Sequence, residues 1–262
     1  MMPALRLTAN ISMLFAEQPF LDRIAGAANA GFRAVECQFP YAFPAQEIAT
    51  RLAAHGLVMN GINTPMGDPA KGEFGHAALP GREADFRAAF DRALDYARVL
   101  GVQTIHCMSG VPQPNERARA RDTFLKNMAW ASDSAHAAGV TLVIEPLNSR
   151  DRPGYFVSRS DEIAALLADL ARDNVKLLFD IYHIQIMEGD LIRRIDRHWP
   201  IIGHVQIASV PERQEPDLGE VALHRVLEEF ARRGWSGYVG AEYNPRGQTL
   251  AGLGWARPWL AQ

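Results

Sequence analysis

Four side chains with oxygen donors follow short apolar runs in the second half of the sequence, and their spacing is regular. Successive members are 35, 26 and 36 residues apart, close to the length of one strand-and-helix unit. They are Glu145 in "VIEP", Asp180 in "LLFD", Gln206 in "HVQIAS" and Glu242 in "GAEY". A single acid in this position more often faces solvent or caps a helix, but four in consecutive units favour a shared site.

The residue types indicate what this site would bind. Three carboxylates in one place repel one another and are costly to bury unless a cation compensates them. Carboxylate and amide oxygens, without cysteine, suit a hard or borderline divalent ion. We therefore predict one bound divalent cation, Mg²⁺ or Mn²⁺, with Glu145, Asp180, Gln206 and Glu242 as its ligands.

Short apolar runs alternate with longer helical stretches along the whole chain, which is typical of βα units and a parallel sheet. Helical stretches such as Arg82–Gly101 and Glu116–Gly139 end in glycine, as helix C-caps often do. The runs predict eight strands: Leu5–Asn10, Ala34–Cys37, Val58–Ile62, Thr104–Cys107, Thr141–Glu145, Val175–Asp180, Ile202–Ile207 and Tyr238–Glu242.

Eight such units in 262 residues predict an α/β fold, a single (β/α)8 TIM barrel formed by one domain over residues 1–262. An open doubly wound sheet is the alternative, but no glycine-rich phosphate-binding motif follows any of the predicted strands. In a parallel barrel the carboxyl ends of the strands form the active face. The four oxygen donors should therefore converge at one rim.

Composition limits the classes of partner and the location. The formal net charge is −3, which gives no general attraction to phosphate backbones, so we expect no nucleic acid partner. Cys37 and Cys107 lie in apolar runs without metal-binding spacing, which predicts reduced core thiols in a cytoplasmic protein. No apolar run approaches about 18 residues, so we expect no membrane association. Formation of a homo-oligomer is left open.

Three further polar residues are candidates for contacts with a substrate. His183 follows Asp180 by three residues and should lie over the predicted metal, either handling a proton or capping a helix. Arg213 could hold an anionic group bidentately, or could form a loop salt bridge with Glu212 or Glu215. His106 ends the fourth strand and could line the pocket.

The remaining histidines and tryptophans are given structural interpretations. His204 shares a strand face with Gln206 and should pack or hydrogen-bond one layer below the site, with direct metal ligation as the alternative. The tryptophans considered are predicted to be packing groups: Trp235, Trp255 and Trp259. The other histidines are predicted to lie on the surface: His55, His76, His136, His198 and His224.

The sequence resembles the xylose-isomerase-like TIM barrels, and within them the hydroxypyruvate isomerases. The matching stretches run through nearly the whole chain and include "FPYAFP", "IEPLNSRDRPGYF", "DIYHIQIMEGDL", "IGHVQIA" and "EYNP". The resemblance implies a metal-dependent aldose–ketose isomerase that interconverts hydroxypyruvate and tartronate semialdehyde. The related ketohexose 3-epimerases typically carry His where this chain has Gln206, which favours the isomerases.

Carried over by position, the resemblance assigns roles to single residues. It implies that Glu145 and Glu242 are the paired catalytic acid and base and also metal ligands, with Asp180 and Gln206 as the remaining ligands. It implies that His183 and Arg213 contact the substrate. Two positions depart from the family pattern: "GEFG" has Phe74 where an Arg is usual, and "EYNP" has Asn244 where Lys is frequent. These departures make a larger acid such as 2-dehydrotetronate, or a neutral short ketose, more credible as substrate.

The predicted chemistry is proton transfer through a cis-enediolate. A divalent ion would stabilise the developing negative charge, and one glutamate on each side would serve as base and acid. A ketose 3-epimerase would use the same groups to invert a carbon centre. A non-catalytic sugar-acid-binding barrel is the alternative of another class. A phosphoesterase with three zinc ions would need more histidines than this rim offers.

Overall fold

The strands of the computed structural model, which describes residues 5–260, form a closed parallel barrel in sequence order, with the first strand paired to the last. The strands are β1 (Arg6–Asn10), β2 (Ala34–Cys37), β3 (Val58–Asn63), β4 (Thr104–His106), β5 (Thr141–Ile144), β6 (Val175–Asp180), β7 (Ile202–Ile207) and β8 (Tyr238–Ala241). The prediction of a (β/α)8 barrel is confirmed.

Helices cover the outside of the barrel and connect successive strands. They are α1 (Asp22–Asn29), α2 (Ala45–Ala54), α3 (Glu83–Leu100), α4 (Arg117–Ala137), α5 (Ser160–Leu170), α6 (Ile181–Met187), α7 (Leu191–His198), α8 (Leu223–Arg232), α9 (Thr249–Gly252) and α10 (Arg257–Leu260). Short 3₁₀ turns lie at Pro40–Ala42, Pro69–Lys71, Pro114–Glu116, Trp199–Ile201, Pro216–Leu218 and Leu253–Ala256.

Several predicted strand boundaries are wrong by one residue, and two of these matter for the site. Glu145 and Glu242 follow their strands instead of ending them. Pro146 has no N–H for the ladder, which explains why β5 stops before Glu145. Glu242 still donates its N–H to the carbonyl of Ile207 at 3.2 Å, so its backbone stays fixed to β7. Both glutamates therefore begin loops at the carboxyl end of the barrel.

The apolar core lies between the strands and the helices. Phe86, Phe90, Phe124 and Met128 on α3 and α4 are fully or almost fully buried there, as the helical spacing of apolar residues requires. Both cysteines are buried and free, as predicted. Burial raises the pKa of the Cys37 thiol to about 11. Between residues 5 and 260, no helix is both long and apolar enough to cross a membrane.

Two of the five histidines predicted to lie on the surface are buried, so that prediction is wrong for them. His76 is 5% exposed and lies 3.2 Å from Glu73, and His198 is 2% exposed and contacts Ser160 and Asp161. His198 is enclosed by α5, a distant segment, so its burial depends on tertiary packing that local sequence does not reveal. The polar partners of His76, Glu73 and Arg82, belong to its own loop.

The loop after β3 is fastened at its centre by Glu73. This carboxylate accepts hydrogen bonds from the Asp68 N–H and from Arg82 Nη1, each at 2.8 Å. Gly75 pairs with Ser109 in an isolated bridge, where a Cβ would come within 2.3 Å of the Met108 carbonyl oxygen. The adjacent Phe74 is therefore held at the mouth of the barrel.

We predict that Glu73→Gln loosens this loop without unfolding the barrel. The bonds from Arg82 and the Asp68 N–H lower the pKa of Glu73 to about 2. A carboxylate whose pKa is lowered by folding stabilises the folded state at pH values above about 4.5. This stabilisation is lost as the pH falls through about 2. Hydrogen exchange at pH 7 should show less protection for residues 64–82 in the variant. The difference in melting temperature from wild type should shrink between pH 4.5 and 2.

Glu47→Gln is the matched control, because Glu47 is exposed on α2. Equal protection of residues 64–82 in the Glu73 variant and wild type would show that Glu73 does not fasten the loop.

Candidate active site

The predicted site residues meet at the carboxyl end of the barrel. A cavity of about 600 Å³ opens there, and six of the seven residues line it: Glu145, Gln206, Glu242, His106, His183 and Arg213. The seventh, Asp180, lies within 3.9 Å of both His183 and Arg213. The sequence reasoning that placed these residues on one rim therefore agrees with the geometry.

Two neighbouring strands fix the relative positions of Asp180 and Gln206. Asp180 is the last residue of β6 and is paired in register with Gln206 on β7. Its Oδ1 accepts the N–H of Tyr182 at 2.8 Å and so caps α6. This cap leaves the second oxygen, Oδ2, free to face the neighbouring site residues.

Six buried polar atoms of the predicted site residues have no hydrogen-bond partner among the described residues. They are Glu145 Oε1, Asp180 Oδ2, Gln206 Oε1, His183 Nε2, His106 Nε2 and Arg213 Nε. Buried polar atoms are nearly always paired, so a group of unpaired ones calls for a ligand. One atom each from Glu145, Asp180 and His183 lies within 4.8 Å of the others. The oxygen donors fit a divalent cation.

The protonation state of His183 can be assigned from its hydrogen bond to the backbone. The backbone N–H of Asn148 donates to His183 Nδ1 at 3.0 Å, so Nδ1 must be the acceptor nitrogen. Burial, reinforced by Arg213, lowers the pKa of His183 and keeps the ring neutral. The single proton is then on Nε2, which lies 3.6 Å from Glu145 Oε1. His183 can donate a hydrogen bond into the cavity, which suits a substrate oxygen better than a cation.

Glu242 and Arg213 form the tightest ion pair of the site. Arg213 Nη2 lies 2.8 Å from Glu242 Oε2 and 3.9 Å from Asp180 Oδ2. Within residues 5–260, Arg213 forms no salt bridge with Glu212 or Glu215, which was the alternative interpretation. Its φ of 54° lies in the left-handed region, which residues other than glycine rarely adopt. The hydrogen bond from the Asn244 N–H to its carbonyl, at 2.8 Å, helps to hold that conformation.

The carboxylates of the site resist ionisation. Burial, together with the charges of Glu242 and Asp180, raises the pKa of Glu145 well above its usual value. Burial also raises the pKa of Glu242 to about 7, although Arg213 opposes the shift. A carboxyl group that titrates near neutrality can both accept and release a proton at physiological pH. Glu242 is therefore suited to general acid–base chemistry, and burial shifts the pKa of Glu145 in the same direction.

Sequence reasoning missed Glu36, which organises the layer below the site. Glu36 accepts hydrogen bonds from Gln206 Nε2 at 2.7 Å, Asn10 Nδ2 at 3.1 Å and His204 Nε2 at 2.8 Å. The bond from Gln206 Nε2 fixes that amide so that its oxygen is the atom left unpaired. Gly240 leaves room for this arrangement, because a Cβ there would lie 2.6 Å from Glu36 Oε1.

Three further residues that position the site were also missed. Asn10 and Gln38 donate to Glu242 Oε1 at 2.9 and 2.7 Å, and Asn148 holds His183. Glu36 could have been found, because it is a charged residue within the otherwise apolar run "AVEC". Amides such as Gln38 and Asn148 give no comparable signal in a sequence.

His204 and His106 each lie beside a buried glutamate. His204 hydrogen-bonds Glu36 below the site, as predicted. His106 lies 3.5 Å from Glu145 through Nδ1, and burial lowers its pKa to about 3. His106 is therefore a neutral ring beside the candidate base, and its contact with a substrate stays a prediction.

Comparison with known proteins places the chain in a family. The model described as "Xylose isomerase-like TIM barrel" matches residues 24–259. The chain belongs to this family. It is 50% identical to a Cupriavidus necator protein named 2-oxo-tetronate isomerase, with 98% of this chain and 99% of that protein aligned. It is 39% identical to an Escherichia coli protein named hydroxypyruvate isomerase, with 97% and 99% aligned. The predicted resemblance is confirmed.

Solved structures agree with the fold. A crystal structure of a Brucella melitensis protein, described as an AP endonuclease of family 2, has a TM-score of 0.96 and 45% identity, covering 97% of this chain and 99% of that one. A Clostridium cellulolyticum D-psicose 3-epimerase, with a TM-score of 0.80 and 17% identity over 98% and 99% of the two chains, shares the fold alone. With the named relatives, the predicted enzyme class, an intramolecular oxidoreductase similar to hydroxypyruvate isomerases, is confirmed.

We predict that Glu36→Ala destabilises the barrel by about 1–3 kcal/mol, because three buried donors lose their acceptor. Urea denaturation should measure this change in the free energy of unfolding. Glu36→Gln, which keeps the size and one acceptor oxygen, should lose less. Glu228→Ala, at an exposed position of α8, is the control. An alanine variant as stable as wild type would show that the hydrogen bonds of Glu36 contribute no net stability.

Proposed function

We propose that this chain is a divalent-metal-dependent isomerase that moves a carbonyl between adjacent carbons of a short hydroxy keto acid, by proton transfer through a cis-enediolate. The observation that carries the proposal is the pair of buried glutamates with raised pKa, Glu145 and Glu242, lining one cavity beside unpaired oxygen donors. Hydroxypyruvate and 2-oxo-tetronate are the substrates to test. The names of the relatives support both, and the relative with 50% identity supports the four-carbon acid.

The proposed cation would be Mg²⁺ or Mn²⁺, held by Glu145, Asp180, Gln206 and Glu242. Three of these residues have an unpaired buried oxygen, as a ligand should. When bound, the cation would supply Lewis-acid stabilisation of negative charge on the substrate oxygens, worth several kcal/mol. Glu242 would join the ligand set with its oxygens already held by Asn10, Gln38 and Arg213.

Four residues of the chain would have separate roles in the proton transfers. One of Glu145 and Glu242 removes the carbon-bound proton, and the other returns a proton to the adjacent carbon. The hydroxyl proton passes to the former carbonyl oxygen, so the carbonyl moves by one carbon, and the two glutamates exchange roles with the direction of reaction. His183 donates its Nε2 proton as a hydrogen bond to a substrate oxygen. Arg213 keeps Glu242 oriented and offsets the negative charge of the glutamates.

We expect purified protein with Mn²⁺ or Mg²⁺ to interconvert 2-oxo-tetronate and its 3-oxo isomer, or hydroxypyruvate and tartronate semialdehyde. Activity should disappear after chelation with EDTA and return when the metal is added, because the donors that would hold it are hard oxygens. Product formation can be followed by NMR.

The same screen separates the alternatives. Inversion of C3 in fructose or tagatose, without turnover of the keto acids, would identify a 3-epimerase and refute the isomerase. Binding of the acids without turnover under any metal condition would favour a non-catalytic sugar-acid-binding barrel.

We predict that Glu145→Gln and Glu242→Gln each lower kcat by about 10²–10⁴-fold, the usual contribution of a positioned acid or base. Both variants should fold, because glutamine preserves size and removes a charge that burial disfavours. Exchange of the carbon-bound substrate proton in D₂O should slow in parallel. Circular dichroism and melting curves control for folding. A Glu242→Gln variant with half the wild-type rate would refute its role.

A further inference from the structure

We propose that Arg152 recognises the carboxylate of the substrate, with the ring of Phe74 as its support. This inference rests on the proposed function and adds the residue that sets the preference for an acid over a neutral ketose. Arg152 and Phe74 both line the cavity that holds the two glutamates. The centre of the guanidinium lies 3.7 Å from the centroid of the Phe74 ring.

Arg152 is the cation of the cavity that is free to bind an anion. Within residues 5–260, its guanidinium forms no hydrogen bond with, and no salt bridge to, another residue. Arg213, the other arginine of the lining, already contacts Glu242 at 2.8 Å, Asp151 at 3.7 Å and Asp180 at 3.9 Å. A substrate carboxylate near Arg213 would compete with these groups. Near Arg152 it would meet an unpaired guanidinium that can bind it bidentately.

The surroundings hold Arg152 and Phe74 in place. Asn148 accepts the backbone N–H of Arg152 at 3.0 Å through its carbonyl, and Arg152 accepts the N–H of Tyr155 at 3.2 Å in the same way. The ring of Tyr155 packs edge-on against Phe74, with centroids 6.2 Å apart. The stack limits the movement of the guanidinium plane and leaves its N–H groups available. Little conformational entropy would be lost when an anion binds.

The turn that carries Arg152 also positions His183, so the proposed anion contact and the proposed hydrogen-bond donor have a fixed relation. Asn148, the first residue of the turn that ends in Arg152 and Tyr155, also holds His183 by its N–H. The turn therefore connects the candidate hydrogen-bond donor of the reaction to the candidate anion contact. One end of a short acid would lie at Arg152, and its carbonyl and hydroxyl would lie among His183, Glu145 and Glu242.

The test compares two compounds that differ only in the charged group. 2-Oxo-tetronate has a carboxylate where erythrulose has a hydroxymethyl group, and NMR in D₂O measures exchange of the hydrogen next to the carbonyl in both. Arg152→Ala should raise KM for 2-oxo-tetronate about 10- to 100-fold, as expected for one lost charge-assisted contact. The kcat for the acid and the exchange rate of erythrulose should stay unchanged. Arg152→Lys should restore part of the loss.

Arg150→Ala is the matched control, since Arg150 is exposed in the same loop but does not line the cavity. Phe74→Leu should give an intermediate rise in KM. If Arg152 only covers Phe74, Arg152→Ala will lower the melting temperature and leave KM for the acid unchanged, which overturns the inference.

Calorimetry with erythronate, which carries the same carboxylate but no keto group, tests binding independently of turnover. Weaker binding by Arg152→Ala than by wild type supports the inference, and equal binding overturns it. A wild-type protein that turns over neither compound would refute the proposed function, while the erythronate result would still decide the role of Arg152.

Discussion

Mutual repulsion among three buried carboxylates is the constraint on which the candidate site depends. Glu145, Asp180 and Glu242 are each at most 5% exposed, and each has a raised pKa because burial disfavours its charge. Ionised carboxylates so close together need a cation, and Arg213 supplies one positive charge between two of them. The oxygens left unpaired are the ones that a divalent ion would satisfy. The same repulsion raises the affinity of a glutamate for a proton, which is what acid–base chemistry requires.

The barrel holds these mutually repelling groups in place, because its strands are parallel and its interior is polar near the rim. Neighbouring strands present Asp180 and Gln206 in register, so their separation is set by the sheet and not by flexible loops. Below them, Glu36 fixes the Gln206 amide. Gly240 makes this arrangement possible, since any side chain there would displace Glu36. Groups that need accurate placement therefore stand on strands or directly after them, supported by a second polar layer.

Much of this arrangement could be predicted from sequence, for identifiable reasons. The periodicity of strands and helices is local, and a charge at the end of an apolar strand is conspicuous, so the barrel and residues such as Glu145 and Asp180 were found. Glu36 is a charged residue inside the four-residue buried strand β2 and was overlooked. The burial of His198 and the tautomer of His183 depend on contacts between distant segments. The contact between Phe74 and Arg152 joins two loops, and nothing in either loop alone reveals it.

This contact also suggests how one rim could serve different substrates. The acids that would transfer protons are fixed by the strands, whereas Phe74 and Arg152 belong to the loops after β3 and β5. A change in either loop can alter the group that meets the far end of the substrate without moving Glu145 or Glu242. The family resemblance implies an arginine at the position of Phe74, and in this chain a guanidinium from the other loop lies over the Phe74 ring. A positive charge is thus present at the cavity mouth, supplied by the loop after β5, so Phe74 at this position is compatible with recognition of an acid.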